Sequence, residues 1–108
     1  MKEVKVSVIG LGFVGGAMKK SFKLKNVKVI GYDKFKEDGD LFEDCLSSDF
    51  SFLCLPTIFD ETTSEYDKSC IQEVCAELEM NSYKGLVIIK STVEPTTTLK
   101  LSSQFPSL

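Results

Sequence analysis

The stretch that decides the fold runs from Val4 to Asp33 and reads VKVSVIGLGFVGGAMKKSFKLKNVKVIGYD. A short run rich in β-branched residues leads into a Gly-x-Gly-x-x-Gly motif formed by Gly10, Gly12 and Gly15. A segment with helical periodicity follows, and a second apolar run ends in Asp33, 18 residues beyond the last glycine. This order of strand, glycine-rich turn, helix, strand and acid is typical of a βαβ unit that binds a dinucleotide.

The three glycines have different physical roles in such a turn. Gly10 permits the sharp exit from the strand, Gly12 lets the backbone approach a pyrophosphate, and Gly15 allows the helix to pack closely on the strand. The unpaired N–H groups of the first helical turn, around Phe13 to Gly16, would bind the phosphates with the help of the helix dipole. A glycine-rich turn that binds no ligand is the alternative interpretation.

Asp33 stands at the end of the second predicted strand. Its carboxylate can accept hydrogen bonds from the ribose diol of an adenosine, and its charge would repel a 2′-phosphate. The sequence therefore predicts NAD rather than NADP as the cofactor. An aspartate at the end of a strand is also common as a simple turn residue, so both roles stay open here.

The composition is that of one ordinary globular domain, residues 1–108. The chain is 43% hydrophobic and 27% charged, with a net charge of −3, which provides no basic surface for nucleic acid. No apolar run approaches the roughly 20 residues of a membrane span, and the N-terminus shows no signal-peptide pattern. We therefore expect a cytoplasmic protein that binds neither nucleic acid nor membranes.

The cysteines and the lack of histidine limit the chemistry of the chain. Cys45, Cys54, Cys70 and Cys75 form no Cys-x-x-Cys pair, so we expect no metal site and interpret these side chains as small buried hydrophobes. Without a histidine, mechanisms that need a histidine base, such as the Ser-His-Asp triad, are excluded.

Strands and helices alternate in the rest of the chain. After strands at Lys2–Ile9 and Val27–Tyr32, apolar runs predict a third strand at Phe50–Leu55 and a fourth at Leu86–Ile89. Helices are predicted near residues 41–46, with Asp40 as the cap, from residue 67 onward and after residue 98. The first helix is predicted to bury one face, formed by Val14, Ala17, Met18, Ser21 and Phe22.

This alternation predicts an α/β fold with a Rossmann-like open parallel sheet. We expect about four strands in the order 3-2-1-4, with helices on both faces. The fourth strand would then lie at an edge, although its sequence is as apolar as that of a buried strand. We therefore expect either further chain, or a partner or second copy in a homo-oligomer, to cover that edge.

Three separated motifs also occur, in the same order, in a known enzyme family. They are Gly10 to Gly15 with Asp33, then Phe52-Leu53-Cys54-Leu55-Pro56-Thr57, then Lys90-Ser91-Thr92-Val93-Glu94-Pro95. Together they resemble the N-terminal NAD-binding domain of the UDP-glucose/GDP-mannose 6-dehydrogenase family, and the third motif is the most specific. The resemblance implies an oxidoreductase that converts the C6 hydroxymethyl group of a nucleotide sugar to a carboxylate with NAD.

The resemblance also implies roles for individual residues. The pyrophosphate would be held by Gly10, Gly12, Phe13, Val14 and Gly15, and the ribose by Asp33. The cofactor would be lined by Leu55, Pro56 and Thr57. Ser91 and Thr92 would lie near the nicotinamide, where the Thr92 hydroxyl would help to place the reacting groups. A threonine at this position can instead simply cap the following helix.

The family's catalytic cysteine belongs to a further domain, and none of the four cysteines here matches it. Because a thiolate is needed for the second oxidation, we expect this chain alone not to complete the reaction. A nucleotide sugar is an expected partner only where the family's substrate and dimerisation domains are present. Two alternatives remain: a non-catalytic dinucleotide-binding or regulatory module, and the NAD-binding domain of a β-hydroxyacid- or prephenate-type dehydrogenase.

Overall fold

The computed structural model describes residues 3–34, 39–91 and 96–108. The elements follow one another as β1 (Lys5–Ile9), α1 (Phe13–Leu24), β2 (Lys28–Tyr32), α2 (Phe42–Cys45), β3 (Phe50–Leu53), β4 (Phe59–Asp60), β5 (Glu65–Tyr66), α3 (Ser69–Met80), β6 (Leu86–Ile89) and α4 (Thr97–Gln104). The segment between β3 and α3 contains a small antiparallel hairpin, formed by β4 and β5, in which the rings of Phe59 and Tyr66 lie 5.1 Å apart.

In the described part of the chain, the main sheet has four parallel strands in the order β2-β1-β3-β6. The predicted class, an α/β Rossmann-like parallel sheet, is confirmed. The predicted order 3-2-1-4 is wrong, because the third strand of this sheet pairs with β1 rather than with β2. Burial explains the difference: Ser51 and Leu53 of β3 are fully buried, as in an interior strand, whereas Lys28 of β2 is exposed, as suits an edge.

The last strand of the sheet, β6, lies at its other edge, as predicted. Leu86 is 58% exposed, and the three residues that follow are half-buried. The strand is thus composed like an interior strand but is only partly covered by the part of the chain that the structure describes.

Helices cover both faces of the sheet, also as predicted. On one face α1 packs through Phe22, whose ring lies 5.5 Å from that of Phe52, and through Met18, whose sulfur contacts Cys54. Successive strand residues point to opposite faces, so Leu53 faces the other side. There α2, α3 and α4 contribute to one hydrophobic core, whose buried members are Ile9, Ile30, Cys45, Leu53, Ile71, Cys75, Leu101 and Phe105.

The buried face of α1 differs from the one that periodicity predicts. Val14 is 57% exposed and Ala17 and Ser21 are also exposed, whereas Gly15 is buried and Met18 and Phe22 face the sheet. The helix approaches the sheet most closely at the residue that has no Cβ, so the contact line passes through Gly15. This orientation leaves Val14 at the side of the helix, where the candidate site lies.

Asp40 does not cap α2, whose N-cap residue is Leu41. Instead, the backbone N–H of Asp40 donates to the carbonyl of Gly31 at 2.7 Å, and its carboxylate accepts from the N–H of Gly31 at 2.9 Å. Asp40 therefore pairs with the end of β2, because the backbone groups of this edge strand are available to a side chain.

A cluster of buried hydroxyl groups joins four parts of the fold. Ser48 Oγ lies 2.6 Å from the carbonyl of Cys45, 3.0 Å from Ser7 Oγ and 3.2 Å from the hydroxyl of Tyr83. Ser7 also hydrogen-bonds to Ser51, its register partner on β3. The cluster ties the end of α2 to β1, β3 and the α3–β6 connection, and every buried hydroxyl in it has a partner.

Candidate functional site

The glycine-rich turn has the backbone conformation that its sequence predicts. Gly10 has φ +97°, a region that residues with a side chain rarely adopt, and a Cβ there would lie 2.5 Å from the carbonyl oxygen of Cys54. Its N–H donates to the carbonyl of Tyr32 at 2.8 Å. A glycine is therefore required at the exit from β1.

The other two glycines of the motif differ from each other. A Cβ on Gly15 would collide with the carbonyl oxygen of Gly10, so this glycine is needed for the packing of α1 on β1. A Cβ on Gly12 would meet no atom within 4 Å. Packing therefore gives no reason for a glycine at position 12, and the space next to Gly12 is open to a ligand.

The N-terminus of α1 begins directly after Gly12. Because the N-cap residue has no side chain, α1 has no side-chain cap, and its first turn contains no acidic residue. The first-turn N–H groups and the positive end of the helix dipole therefore point toward the space beside Gly12. This arrangement is suited to an anion.

A cavity of about 440 Å³ opens at this point, at the carboxyl ends of β1, β2 and β3. Its lining is mainly apolar, with a few charged groups, as is usual for sites that bind small molecules. The lining residues are Ile9, Gly10, Gly12, Phe13, Val14, Tyr32, Asp33, Lys34, Phe42, Cys54, Leu55, Pro56, Cys70, Glu73, Val74 and Glu77. Seven of the residues singled out from the sequence are therefore brought together here: Gly10, Gly12, Phe13, Val14, Asp33, Leu55 and Pro56.

Apolar side chains stand at the rim of this cavity. Phe13 is fully exposed and Val14 is 57% exposed, although both belong to α1. Exposed apolar surface beside a cavity is typical of a surface that contacts a ligand or a partner.

Asp33 combines the two roles that the sequence left open. It lines the cavity, and its Oδ2 accepts a hydrogen bond of 2.8 Å from the backbone N–H of Leu11. The carboxylate thus ties the end of β2 to the glycine-rich turn. Since a carboxylate offers about four acceptor positions, this bond is compatible with further hydrogen bonds to a ligand.

Three predicted site residues, Gly15, Thr57 and Ser91, are not part of the lining of the cavity. Ser91 Oγ accepts from the N–H of Leu55 at 2.9 Å and lies 3.2 Å from the carbonyl of Leu53, so it holds the wall formed by Leu55 and Pro56. Thr57 is half-buried and is not part of the lining. The predicted catalytic residue, Thr92, lies outside the residues that the structure describes.

One wall of the cavity was not predicted, namely the first two turns of α3. Cys70, Glu73, Val74 and Glu77 contribute to it. Their spacing of i, i+3, i+4 and i+7 places them on one face of a helix, and this spacing is the feature of the sequence that could have grouped them. Periodicity of apolar residues places both glutamates on the solvent side, because it cannot show that this side borders a cavity.

The charged groups of the lining interact across the cavity. Lys34 follows Asp33 at the end of β2, and its Nζ lies 3.3 Å from Glu73 Oε1 on α3. Burial, together with the negative charge of Glu77, raises the pKa of the Tyr32 phenol. Tyr32 therefore keeps its hydroxyl proton at neutral pH and can donate a hydrogen bond.

The cysteines divide into two groups. Cys45 and Cys75 are buried in the core, and burial raises the pKa of each thiol to about 11. Cys54 and Cys70 instead line the cavity and are half-buried, so the prediction of four buried cysteines is only half right. Burial also raises the pKa of the Cys54 thiol, so Cys45, Cys54 and Cys75 are protonated at neutral pH.

No family model matches the chain, and no curated protein is significantly similar to it. Among the residues placed in the structure, no helix has the length and apolar character needed to cross a membrane. Over the same residues, no group of three or more histidine, cysteine or acidic side chains is arranged to hold a metal ion.

Proposed function

We propose that this chain is an NAD-binding domain and that its cavity is the cofactor site. The proposal rests on one observation, namely that three features lie at the same place. The open space beside Gly12, the N-terminus of α1 and the carboxylate of Asp33 all border the same cavity. They correspond to the needs of a pyrophosphate and of a ribose diol.

The residues present fit the parts of the cofactor. The pyrophosphate would be held by backbone N–H groups at Gly12, Phe13 and Val14, and the adenosine ribose by Asp33. The apolar side chains of Phe42 and Val74 would contact the adenine base. When bound, NAD supplies a hydride acceptor in its nicotinamide ring.

The class of dehydrogenase is proposed from the resemblance of the three motifs. It suggests the cofactor-binding part of an enzyme that oxidises C6 of a nucleotide sugar to a uronic acid. Thr92 would then help to position the reacting groups, and Ser91 would hold the adjoining wall. The hydrogen bonds of Ser91 to the backbone of Leu53 and Leu55 support a positioning role for this residue.

A second candidate function is a dinucleotide-binding module without catalysis of its own. It requires no nucleophile in this chain, which agrees with burial keeping the thiols of Cys45, Cys54 and Cys75 protonated at neutral pH. A thiol in that state is a poor nucleophile. Both candidates share the NAD site and differ in whether the chain contributes to a reaction.

A calorimetric titration of the chain with NAD, NADP and UDP-glucose tests the proposal. We expect saturable binding of NAD, weaker binding of NADP and no binding of UDP-glucose. If a folded chain bound none of the three, the glycine-rich turn would be purely structural and the proposal would be wrong. Catalysis is then tested by NADH absorbance with UDP-glucose, where no turnover is expected from this chain alone.

A further inference from the structure

The carboxyl end of β2 carries two adjacent residues of opposite charge. Asp33 borders the cavity as the candidate ribose ligand, and Lys34, the next residue, borders the same cavity. An NADP-binding site requires a cation close to the ribose, to bind the 2′-phosphate. By its position in the chain, Lys34 could supply that cation.

Lys34 forms an ion pair with a residue of α3, which also borders the cavity. Its Nζ lies 3.3 Å from Glu73 Oε1, and the two side chains are 54% and 52% exposed. The pair connects residues 39 positions apart and joins two walls of the cavity. The ammonium group is thus directed toward α3.

The other charges of the lining act in the same direction. Among the residues that the structure describes, the lining contains three acids, Asp33, Glu73 and Glu77, and one basic side chain, Lys34. A 2′-phosphate carries close to two negative charges at neutral pH and would enter a net negative site. A ribose with a free 2′-hydroxyl meets no such repulsion.

We propose that Glu73 is a specificity-determining residue, which makes the site selective for NAD over NADP by holding Lys34 away from the ribose position. This inference rests on the proposed NAD site. Asp33 repels a 2′-phosphate directly, whereas Glu73 acts by occupying the cation that could compensate for the repulsion. Release of Lys34 should therefore improve NADP binding more than NAD binding.

The expected effect is moderate, because an ion pair that is half exposed is partly screened by water and salt. We expect Glu73→Gln to raise the ratio of NADP to NAD affinity about two- to fivefold. Glutamine keeps the size of the side chain and removes its charge. Glu77→Gln is the matched control, since it removes an equal charge from the same face of the same helix but does not release Lys34.

The experiment is a calorimetric titration of four forms of the chain with NAD and with NADP at low ionic strength. The forms are the wild type, Glu73→Gln, Glu77→Gln and the double variant Lys34→Ala/Glu73→Gln. The inference predicts that the ratio of NADP to NAD affinity rises in Glu73→Gln more than in Glu77→Gln, and that the double variant loses the gain.

Three results would overturn the inference. Equal ratios in Glu73→Gln and Glu77→Gln would mean that only the net charge matters, and a gain that survives in the double variant would mean that Lys34 is not the phosphate ligand. An unchanged ratio in Glu73→Gln would mean that the ion pair has no influence on selectivity. In all three cases NAD still binds the wild type, whereas failure of NAD to bind a folded wild type would remove the proposed function itself.

Discussion

Asp33 Oδ2 and the backbone N–H of Leu11 form a hydrogen bond of 2.8 Å that joins the end of β2 to the glycine-rich turn. The candidate ribose ligand is therefore also a structural residue of the turn. A loss of binding on mutation of Asp33 can come from either role, so two substitutions are needed to separate them.

We predict that Asp33→Ala and Asp33→Asn differ in their effect on stability but both weaken NAD binding. Alanine removes the acceptor for Leu11 and should lower the free energy of unfolding by about 1–3 kcal/mol. Asparagine retains an acceptor oxygen and should cost less than about 1 kcal/mol. Both should weaken NAD binding, because a carboxylate accepts stronger hydrogen bonds from the ribose diol than an amide does. Urea denaturation and calorimetry on the same samples check this, and tight NAD binding by folded Asp33→Ala would contradict a ribose role.

The contact between α1 and β1 predicts opposite effects for two neighbouring glycines. Gly15→Ala places a Cβ against the carbonyl of Gly10 and should destabilise the chain by about 3 kcal/mol or more. A Cβ on Gly16 would lie 3.6 Å from the carbonyl oxygen of Leu11, an ordinary contact, so Gly16→Ala should stabilise the helix by up to about 1 kcal/mol. Urea midpoints for the two variants measure the difference. Equal midpoints would show that α1 does not pack as closely as described.

These results indicate which features a sequence can reveal. The turn at Gly10 and the packing at Gly15 follow from local backbone geometry, so the motif predicts them correctly. The order of the strands depends on which apolar runs are buried on both sides, and the runs of β2 and β3 look alike in the sequence. The wall contributed by Glu73 and Glu77 depends on where α3 packs, which no local pattern determines.

The buried hydroxyl cluster predicts a large difference between two adjacent serines. Ser48→Ala removes a hydroxyl that contacts the carbonyl of Cys45 and the hydroxyls of Ser7 and Tyr83, leaving buried polar groups without that partner. We expect a loss of about 1–3 kcal/mol in the free energy of unfolding. Ser47→Ala removes an exposed hydroxyl and should change the free energy of unfolding by less than about 0.5 kcal/mol. A similar loss in both variants, measured by urea denaturation, would argue against the cluster as a source of stability.

The buried thiols predict a decrease in stability at alkaline pH. Burial raises the pKa of Cys45 and Cys75 from 9.0 to about 11, so the folded chain retains protons that the unfolded chain loses. Their contribution to stability is complete below pH 9 and is lost as the pH rises through about 11. The urea midpoint should decrease from pH 8 to pH 10, and the decrease should be larger for the wild type than for Cys75→Ala. The same fall in both would mean that Cys75 does not contribute to the pH dependence.

Cys70 offers a direct probe of cavity occupancy. It lines the cavity and is half-buried, whereas Cys75 is 2% exposed in the core. Iodoacetamide should therefore modify Cys70 faster than Cys75, and saturating NAD should slow the modification of Cys70 only. Peptide mass spectrometry over a time course follows each site separately. Unchanged labelling of Cys70 in the presence of bound NAD would place the cofactor elsewhere.

The most direct test of the cofactor site is the binding of NAD to Gly12→Ala compared with Gly16→Ala. A Cβ at position 12 meets no atom within 4 Å, so the variant should fold like the wild type. It would nevertheless fill the space through which a pyrophosphate approaches the backbone, so calorimetry should show NAD affinity reduced at least about tenfold, a loss of about 1.4 kcal/mol. Gly16→Ala, outside the lining, should retain the affinity of the wild type. Equal and saturable NAD binding by both variants would contradict a pyrophosphate site at the N-terminus of α1.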